Sequence, residues 1–287
     1  MFCINIIERI VTHGGRAHRD DFMAVCYAEA AMRKPVPVER RDPTPEELDN
    51  PQVLVLDVGG VHDPAKSNFD HHQLERDAEP ECALSLLLKA TGDFEDFNDI
   101  LLWVHPTMIL DSKGPIALQR ELGISKESLA RMNSPVEAIV LKLFESGALA
   151  PQFLADIGAN QIRYVEKIRS ELEKIICGAG RSIELLPDVV GTFINGLFEP
   201  KSIGLYRQLV EKVTGKTMAF SICHDDRGEG LTLYRYDDHP RIDFSRLEGR
   251  PEVIFAHKGG FIAKSKGRDH EEALNLVRES IVAANEA

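Results

Sequence analysis

Basic side chains are in deficit in this chain. Its 287 residues carry 34 Lys and Arg against 46 Asp and Glu, a formal net charge of −12. That balance argues against a general nucleic-acid or anionic-membrane coat, because holding polyphosphate relies on Lys and Arg neutralising phosphates. It leaves room for a local basic patch. Aromatics are also few, 7% of the chain with a single Trp, and no base-stacking platform can be assembled from them. The five cysteines, Cys3, Cys26, Cys82, Cys177 and Cys223, are scattered and form no Cys-x-x-Cys pair. They read as reduced thiols of a cytoplasmic protein, neither a disulfide frame nor a zinc–thiolate site. No apolar run approaches the roughly 20 residues of a membrane span, so no membrane partner is expected. The start, Met1 to Arg9, lacks a basic leader and reads as a first strand. There is no Gly-x-Ser-x-Gly and no His-Glu-x-x-His. Gly215-Lys216-Thr217 ends like a phosphate-binding loop, but Val210 stands where its first glycine belongs.

What is present suits a sizeable core: 43% of residues are hydrophobic, and the length fits one large domain or two smaller ones. Apolar runs at 4–12, 36–41 and 53–58 read as strands. Asp20-Asp21 opens an apolar stripe at helical spacing, as acids in a first turn favour. Strands alternating with helices imply a parallel sheet, whose ligands gather at the carboxyl ends of strands. Helices are predicted at 82–90, 97–109, 135–144 and 151–177, a linker at 187–200, strands at 218–223, 231–236 and 253–257, and a closing helix at 270–284. Two domains follow, 1–187 and 188–287.

Chemistry-bearing residues cluster in the first quarter. His13-Gly14-Gly15-Arg16-Ala17-His18-Arg19-Asp20-Asp21 brings two imidazoles and carboxylates to one strand–loop–helix turn; a polar turn with a capping aspartate is the plain alternative. Asp57 ends the run Val53 to Leu56, where a carboxylate is costly to bury unless paired or metal-bound. In Asp70-His71-His72 the adjacent imidazoles face different ways on an extended loop, so that one can hold a metal and the other face a substrate. Carboxylate and imidazole together suit Mn²⁺, Zn²⁺ or Fe²⁺. Asp111, after an apolar stretch, is a further candidate ligand. Near the C-terminus, residues 257–268 carry basic residues and no acid around Gly259-Gly260, a pattern that can present backbone N–H groups and point charges to phosphate.

In four places the chain resembles the MYG1 family (UPF0160), within the DHH phosphoesterase superfamily. These are Thr-His13-Gly-Gly-Arg-Ala-His18-Arg-Asp20-Asp21, Leu-Asp57-Val-Gly-Gly-Val-His-Asp-Pro-Ala, Phe-Asp70-His71-His72-Gln, and Phe-Ala-His257-Lys-Gly-Gly-Phe261-Ile. The resemblance implies an α/β fold: a DHH-type N-terminal domain whose parallel sheet is flanked by helices, and a smaller α+β C-terminal domain across a cleft. It implies two Mn²⁺ ions, with Mg²⁺, Zn²⁺ or Fe²⁺ as alternatives. His13, His18 and Asp57 would hold one ion, and Asp20, Asp57, His71 and Asp111 the other, with Asp57 bridging. His72, Asp57 and Asp70 form the implied catalytic group. His257, Lys258, Gly259, Gly260 and Arg16 would contact substrate. The implied activity is phosphoester hydrolysis, with 3′→5′ exonucleolysis of RNA or short oligonucleotides as the leading expectation. A small phosphate substrate such as a nucleotide or pyrophosphate, and a non-catalytic metal-binding protein, are the alternatives. A homodimer is compatible with all of these. The chain departs from its superfamily at His18, where aspartate is common, and at Ser112-Lys113, where the family tends to carry Asn-Gly.

Overall fold

Ile10, Val11 and Thr12 are wholly buried and lie in β1 (Arg9–Thr12). The computed structural model describes residues 2–32 and 34–283; Met1 and Ala284, outer bounds of two predicted elements, lie outside the described residues. β1 is shorter than the predicted strand because Ile4–Ile6 winds as a 3-10 helix. The glycines after His13 turn the chain into α1 (Arg19–Ala31), with Gly15 at φ 76°, a conformation glycine adopts without a Cβ clash. β2 (Val38–Arg40) and the short α2 (Pro45–Leu48) follow. β3 (Val53–Leu56) is buried at every position, as a strand covered on both faces must be. β4 (His62–Asp63) and β5 (Asn68–Phe69) complete a five-stranded sheet in the order β2-β1-β3-β5-β4. β1 pairs parallel with β2 and β3, and β3 with β5, whereas β4 runs antiparallel. β5 occupies part of the predicted extended loop.

Six helices follow: α3 (Ala83–Thr91), α4 (Phe94–Ile100), α5 (Val104–Leu122), α6 (Lys126–Arg131), α7 (Pro135–Glu145) and α8 (Pro151–Lys174). The single helix predicted at 97–109 is broken at Leu101, whose φ −96° and ψ 89° leave the helical region. α5 bends at Gly114, φ 80° and ψ 174°, because the following Pro115 disfavours helical backbone before it. Asp111 therefore sits at the end of the first arm of α5. α1 packs against α3, α5 and α7.

The chain divides into two compact units, Met1–Glu166 and Lys167–Ala287, so the division falls inside α8 and not at the expected 187/188. The second unit begins its sheet with β6 (Gly180–Leu186) and β7 (Val189–Ile194). β7 is buried throughout, where a linker is predicted. Pro187 and Pro200 punctuate its flanks, but Val-Val-Gly-Thr-Phe-Ile is a strand sequence that the core accepts. α9 (Pro200–Thr214), β8 (Met218–His224), β9 (Leu231–Arg235), β10 (Val253–Ala256), β11 (Ile262–Ser265) and α10 (His270–Glu279) complete the unit. Its strand order is β10-β11-β9-β8-β7-β6, with β7 and β8 parallel and the other pairs antiparallel. Phe220, Ile222, Leu231, Leu233, Phe244 and Val277 fill one core of this unit. The first unit is thus α/β with a largely parallel sheet flanked by helices, and the second is α+β. Among the described residues no helix is long and apolar enough to cross a membrane.

Candidate metal centre

Four neighbouring parallel strands end on one edge of the first sheet. His13 follows β1, Arg40 closes β2, Asp57 follows β3, and Asp70-His71 follow β5. That edge is where open parallel sheets gather ligands. Asp57 stands at φ 59°, an unusual conformation for a residue with a side chain, and its N–H donates to the Phe69 carbonyl at 3.0 Å. The turn aims its carboxylate along the edge with only 3% of the residue exposed.

Donor atoms of three groups lie within 4.8 Å of one another: His13, His18 and Asp57; Asp20, Asp57, His71 and Asp111; and Asp57, His71 and His72. Asp57 belongs to all three. His71 Nε2 is 3.1 Å from Asp57 Oδ1 and 2.8 Å from Asp111 Oδ2. His13 Nε2 is 3.4 Å from Asp57 Oδ2 and 3.2 Å from Asp21 Oδ2, and His18 Nδ1 is 3.6 Å from Asp111 Oδ1. Although close, His13 Nε2, His71 Nε2 and Asp57 Oδ1 are buried without a properly aligned hydrogen bond. Buried polar atoms normally find partners. Three unpartnered donor atoms converging from three strands fit a divalent cation, and the mixture of carboxylate and imidazole suits Mn²⁺ or Mg²⁺ with Zn²⁺ and Fe²⁺ as alternatives.

The electrostatics fit the same cation. Asp21, helped by Asp57, pushes the His13 pKa up to about 9 against the opposing effect of burial. Burial of the His71 ring disfavours its charge, yet Asp111 and Asp57 outweigh it and hold the pKa up to about 10. Asp111 raises His18 in turn. Burial works against ionisation of Asp111 as well, but His18 and His71 hold it well below the usual carboxylate range. Burial, with Asp57 and Asp111 close by, pushes Asp20 up to about 8. Burial likewise raises Asp57, opposed by His71. Protons thus stand where positive charge is needed.

Not every predicted site residue offers a free donor. Asp20 accepts from the backbone N–H of Leu84 (2.9 Å) and Ala83 (3.0 Å), so it caps α3 while facing the cluster. Asp70, 1% exposed, is an orienting group: Oδ1 takes the His72 N–H at 3.0 Å and His72 Nδ1 at 2.7 Å, and Oδ2 takes the Gly60 N–H at 2.6 Å. His72 itself is 62% exposed. Arg16 is exposed at the mouth of the His18 loop. In the second unit, His257-Lys258-Gly259-Gly260 forms the turn between β10 and β11. The Gly260 N–H donates to the His257 carbonyl at 2.8 Å and the Gly259 N–H to His257 Nδ1 at 2.9 Å. A Cβ on Gly260 would collide with Asp243, so packing accounts for that glycine.

Two residues were not singled out by sequence as a pair. Arg40 Nη1 donates to Asp21 Oδ2 at 2.5 Å, and Asp21 Oδ1 accepts the His18 backbone N–H at 2.7 Å. Asp21 thereby steadies both first-cluster histidines. The available signal was the place of Arg40 at the carboxyl end of a predicted parallel strand. Cavities open on both sides of Asp111: one of about 290 Å³ bordered by His71, His72 and Lys113, and a groove of about 740 Å³ bordered by Arg16, His18 and Asp20.

Residues 9–85 match the model of a family described as MYG1 exonuclease, an uncharacterised protein family (UPF0160). No curated protein matches the chain. Among solved structures, RecJ from Thermus thermophilus in complex with Mg²⁺ is 13% identical, with 95% of this chain and 48% of that one covered and a TM-score of 0.31. Its Mn²⁺ complex is 13% identical over 95% and 51%, with a TM-score of 0.30. A DHH domain described as a member of the s1p family of ribosomal proteins is 15% identical over 96% and 87%, with a TM-score of 0.33. The chain spans about half the length of the RecJ structures it matches. The span that matches the family model contains His13, His18, Asp20, Asp57, His71 and His72.

Proposed function

We propose that the chain is a metal-dependent phosphoester hydrolase that cuts phosphodiesters of RNA or short oligonucleotides, working exonucleolytically from the 3′ end. The observation that carries this is the Asp57 carboxylate, shared between the His13–His18 group and the Asp20–His71–Asp111 group. A shared carboxylate between two donor sets is what holding two cations side by side requires. His13, His18 and Asp57 would hold one ion; Asp57, His71 and Asp111, with Asp20 behind them, would hold the other. Two such ions, when bound, supply Lewis acidity and a water of lowered pKa near the scissile phosphate. The match of residues 9–85 to that family model, with the resemblance of the motifs to the DHH superfamily, favours phosphorus over carbonyl chemistry.

The protein's own groups do the positioning. Asp70 fixes the His72 ring through Nδ1, which leaves Nε2 as the atom able to face a non-bridging phosphate oxygen. Gly60 in turn anchors Asp70, so the His71-His72 corner is held from beneath. Arg40 and Asp21 hold His13 beside Asp57 and anchor the His18 backbone, while the His18 ring faces Asp111.

Alanine at Asp57 or at His71 is expected to abolish Mn²⁺-dependent cleavage of a short oligoribonucleotide, measured by product laddering. Full activity in both variants would overturn the proposal. A ladder from 5′-labelled substrate reads the direction. A rate greatest on a mononucleotide or pyrophosphate would replace the substrate assignment and keep the chemistry. Tight Mn²⁺ binding with no hydrolysis across a phosphoester panel would leave a non-catalytic metal-binding protein.

A further inference from the structure

We propose that the groove between the His18 loop, α5 and α7 is the subsite for one nucleoside monophosphate unit of the substrate. The inference deepens the function above, on which it rests, and it lies wholly within the first unit. The groove measures about 740 Å³ and opens onto His18 and Asp111. That size falls in the range of about 300–1,000 Å³ typical of small-molecule sites.

Its walls divide by chemistry. Leu110, 42% exposed, and the half-buried Leu141 give an apolar surface in an otherwise polar setting. Asn133, exposed on the rim, presents an amide that can both donate and accept. A flat base with an apolar face and a polar edge matches that pairing, and a bare phosphate or pyrophosphate would leave the leucines unmatched.

The charge is equally selective. Arg19 gives both ends of its guanidinium to Glu137 at 2.6 and 2.7 Å, and Lys142 is tied to Glu145 at 2.5 Å. Arg16 is the lining cation that no described carboxylate neutralises. One free cation among the described residues that line the groove, beside a rim that also carries Glu137 and Glu145, suits one phosphate and opposes a polyphosphate. The smaller cavity across Asp111 has less than half the volume, and Arg76 and Lys113 share its lining with Glu75, Glu79 and Glu81.

The test is calorimetric binding of adenosine 5′-monophosphate and of inorganic phosphate to the full chain with Mn²⁺ present. The nucleotide is expected to bind at least tenfold more tightly than phosphate. Leu141→Trp, which fills the groove, should weaken nucleotide binding tenfold or more. Asn133→Ala, at an exposed position that does not threaten folding, should weaken it several-fold. Leu74→Trp, in the opposite cavity, should leave it unchanged. Equal affinity for nucleotide and phosphate overturns the subsite, as does weakening by Leu74→Trp without weakening by Leu141→Trp. Hydrolysis is scored separately. Nucleotide bound in the groove without cleavage of any phosphoester would sink the proposed function and spare the subsite. Oligoribonucleotide cleavage indifferent to Leu141→Trp and Asn133→Ala would do the reverse.

Discussion

Asp21 is wholly buried and carries no free oxygen: Oδ1 accepts the His18 backbone N–H, and Oδ2 accepts from Arg40 with His13 Nε2 beside it. Its carboxylate is the largest cause of the high His13 pKa, followed in sign by the Gly14 carbonyl beside Nδ1 and then by Asp57. Asp21→Asn keeps the shape and removes the charge. The His13 pKa, followed by NMR in metal-free protein, should fall from about 9 toward its ordinary 6.5, by about one unit or more. An unchanged titration would show that the Gly14 carbonyl and Asp57 set it without Asp21. Residue types in the motifs were enough to nominate His13, His18, Asp57 and His71. They were not enough to separate Asp70, whose oxygens are consumed by orienting His72, from those ligands, since both kinds of aspartate look alike in a string of letters.

At the scale of elements, α1 acts as the hub. Its first turn supplies Asp20 to the amino end of α3, where two N–H groups would otherwise lack partners. Its far side meets α8 at Gly158, where an added Cβ would fall on the Cys26 carbonyl and lie 2.9 Å from the Ala30 Cβ. Helix propensity by itself favours alanine over glycine by about 1 kcal/mol, but here the backbone of α1 blocks it. Gly158→Ala is therefore expected to destabilise the first unit by about 1–3 kcal/mol, the usual penalty of overpacking, read from urea denaturation. A stabilised variant would show that the two helices are free to separate. The crossing was invisible in sequence because a glycine inside a helical pattern says nothing of which helix approaches it. The break at Leu101 and the strand β7 escaped for a related reason: periodicity reports a preference, and packing decides where it is honoured.

For the whole molecule, stability should depend on pH through Glu29. The residue is 1% exposed, and its carboxylate accepts the Val36 N–H at 3.1 Å. Burial pushes its pKa up to about 7 from the ordinary 4.5, against that hydrogen bond. A carboxyl with a raised folded pKa holds its proton more tightly folded than unfolded. Its contribution is complete below pH 4.5 and is lost as pH rises through about 7. Between pH 4.5 and about 7, at 1.4 kcal/mol per pH unit, the loss is on the order of 3–4 kcal/mol. Glu29→Gln retains an acceptor for Val36 without the charge. It should flatten the decline in first-unit stability between pH 5 and pH 8, followed by urea titration, and leave the variant more stable than the parent at pH 8. A parallel decline in both proteins would assign the dependence to other groups.

By itself the sequence determined the alternation of strand and helix in the first unit, the burial of Val53 to Leu56, the absence of a membrane-spanning run and the identity of the donors, because hydrophobic periodicity and residue chemistry are local properties. The tertiary structure decided what those donors form. Strand order β2-β1-β3-β5 sets His13, Asp57 and His71 on one edge, a left-handed turn at Asp57 directs a single carboxylate to two groups of partners, and α5 brings Asp111 from a distant part of the chain. Those placements arise from parallel pairing and helix packing between segments far apart in sequence, and no local pattern encodes which of them will meet.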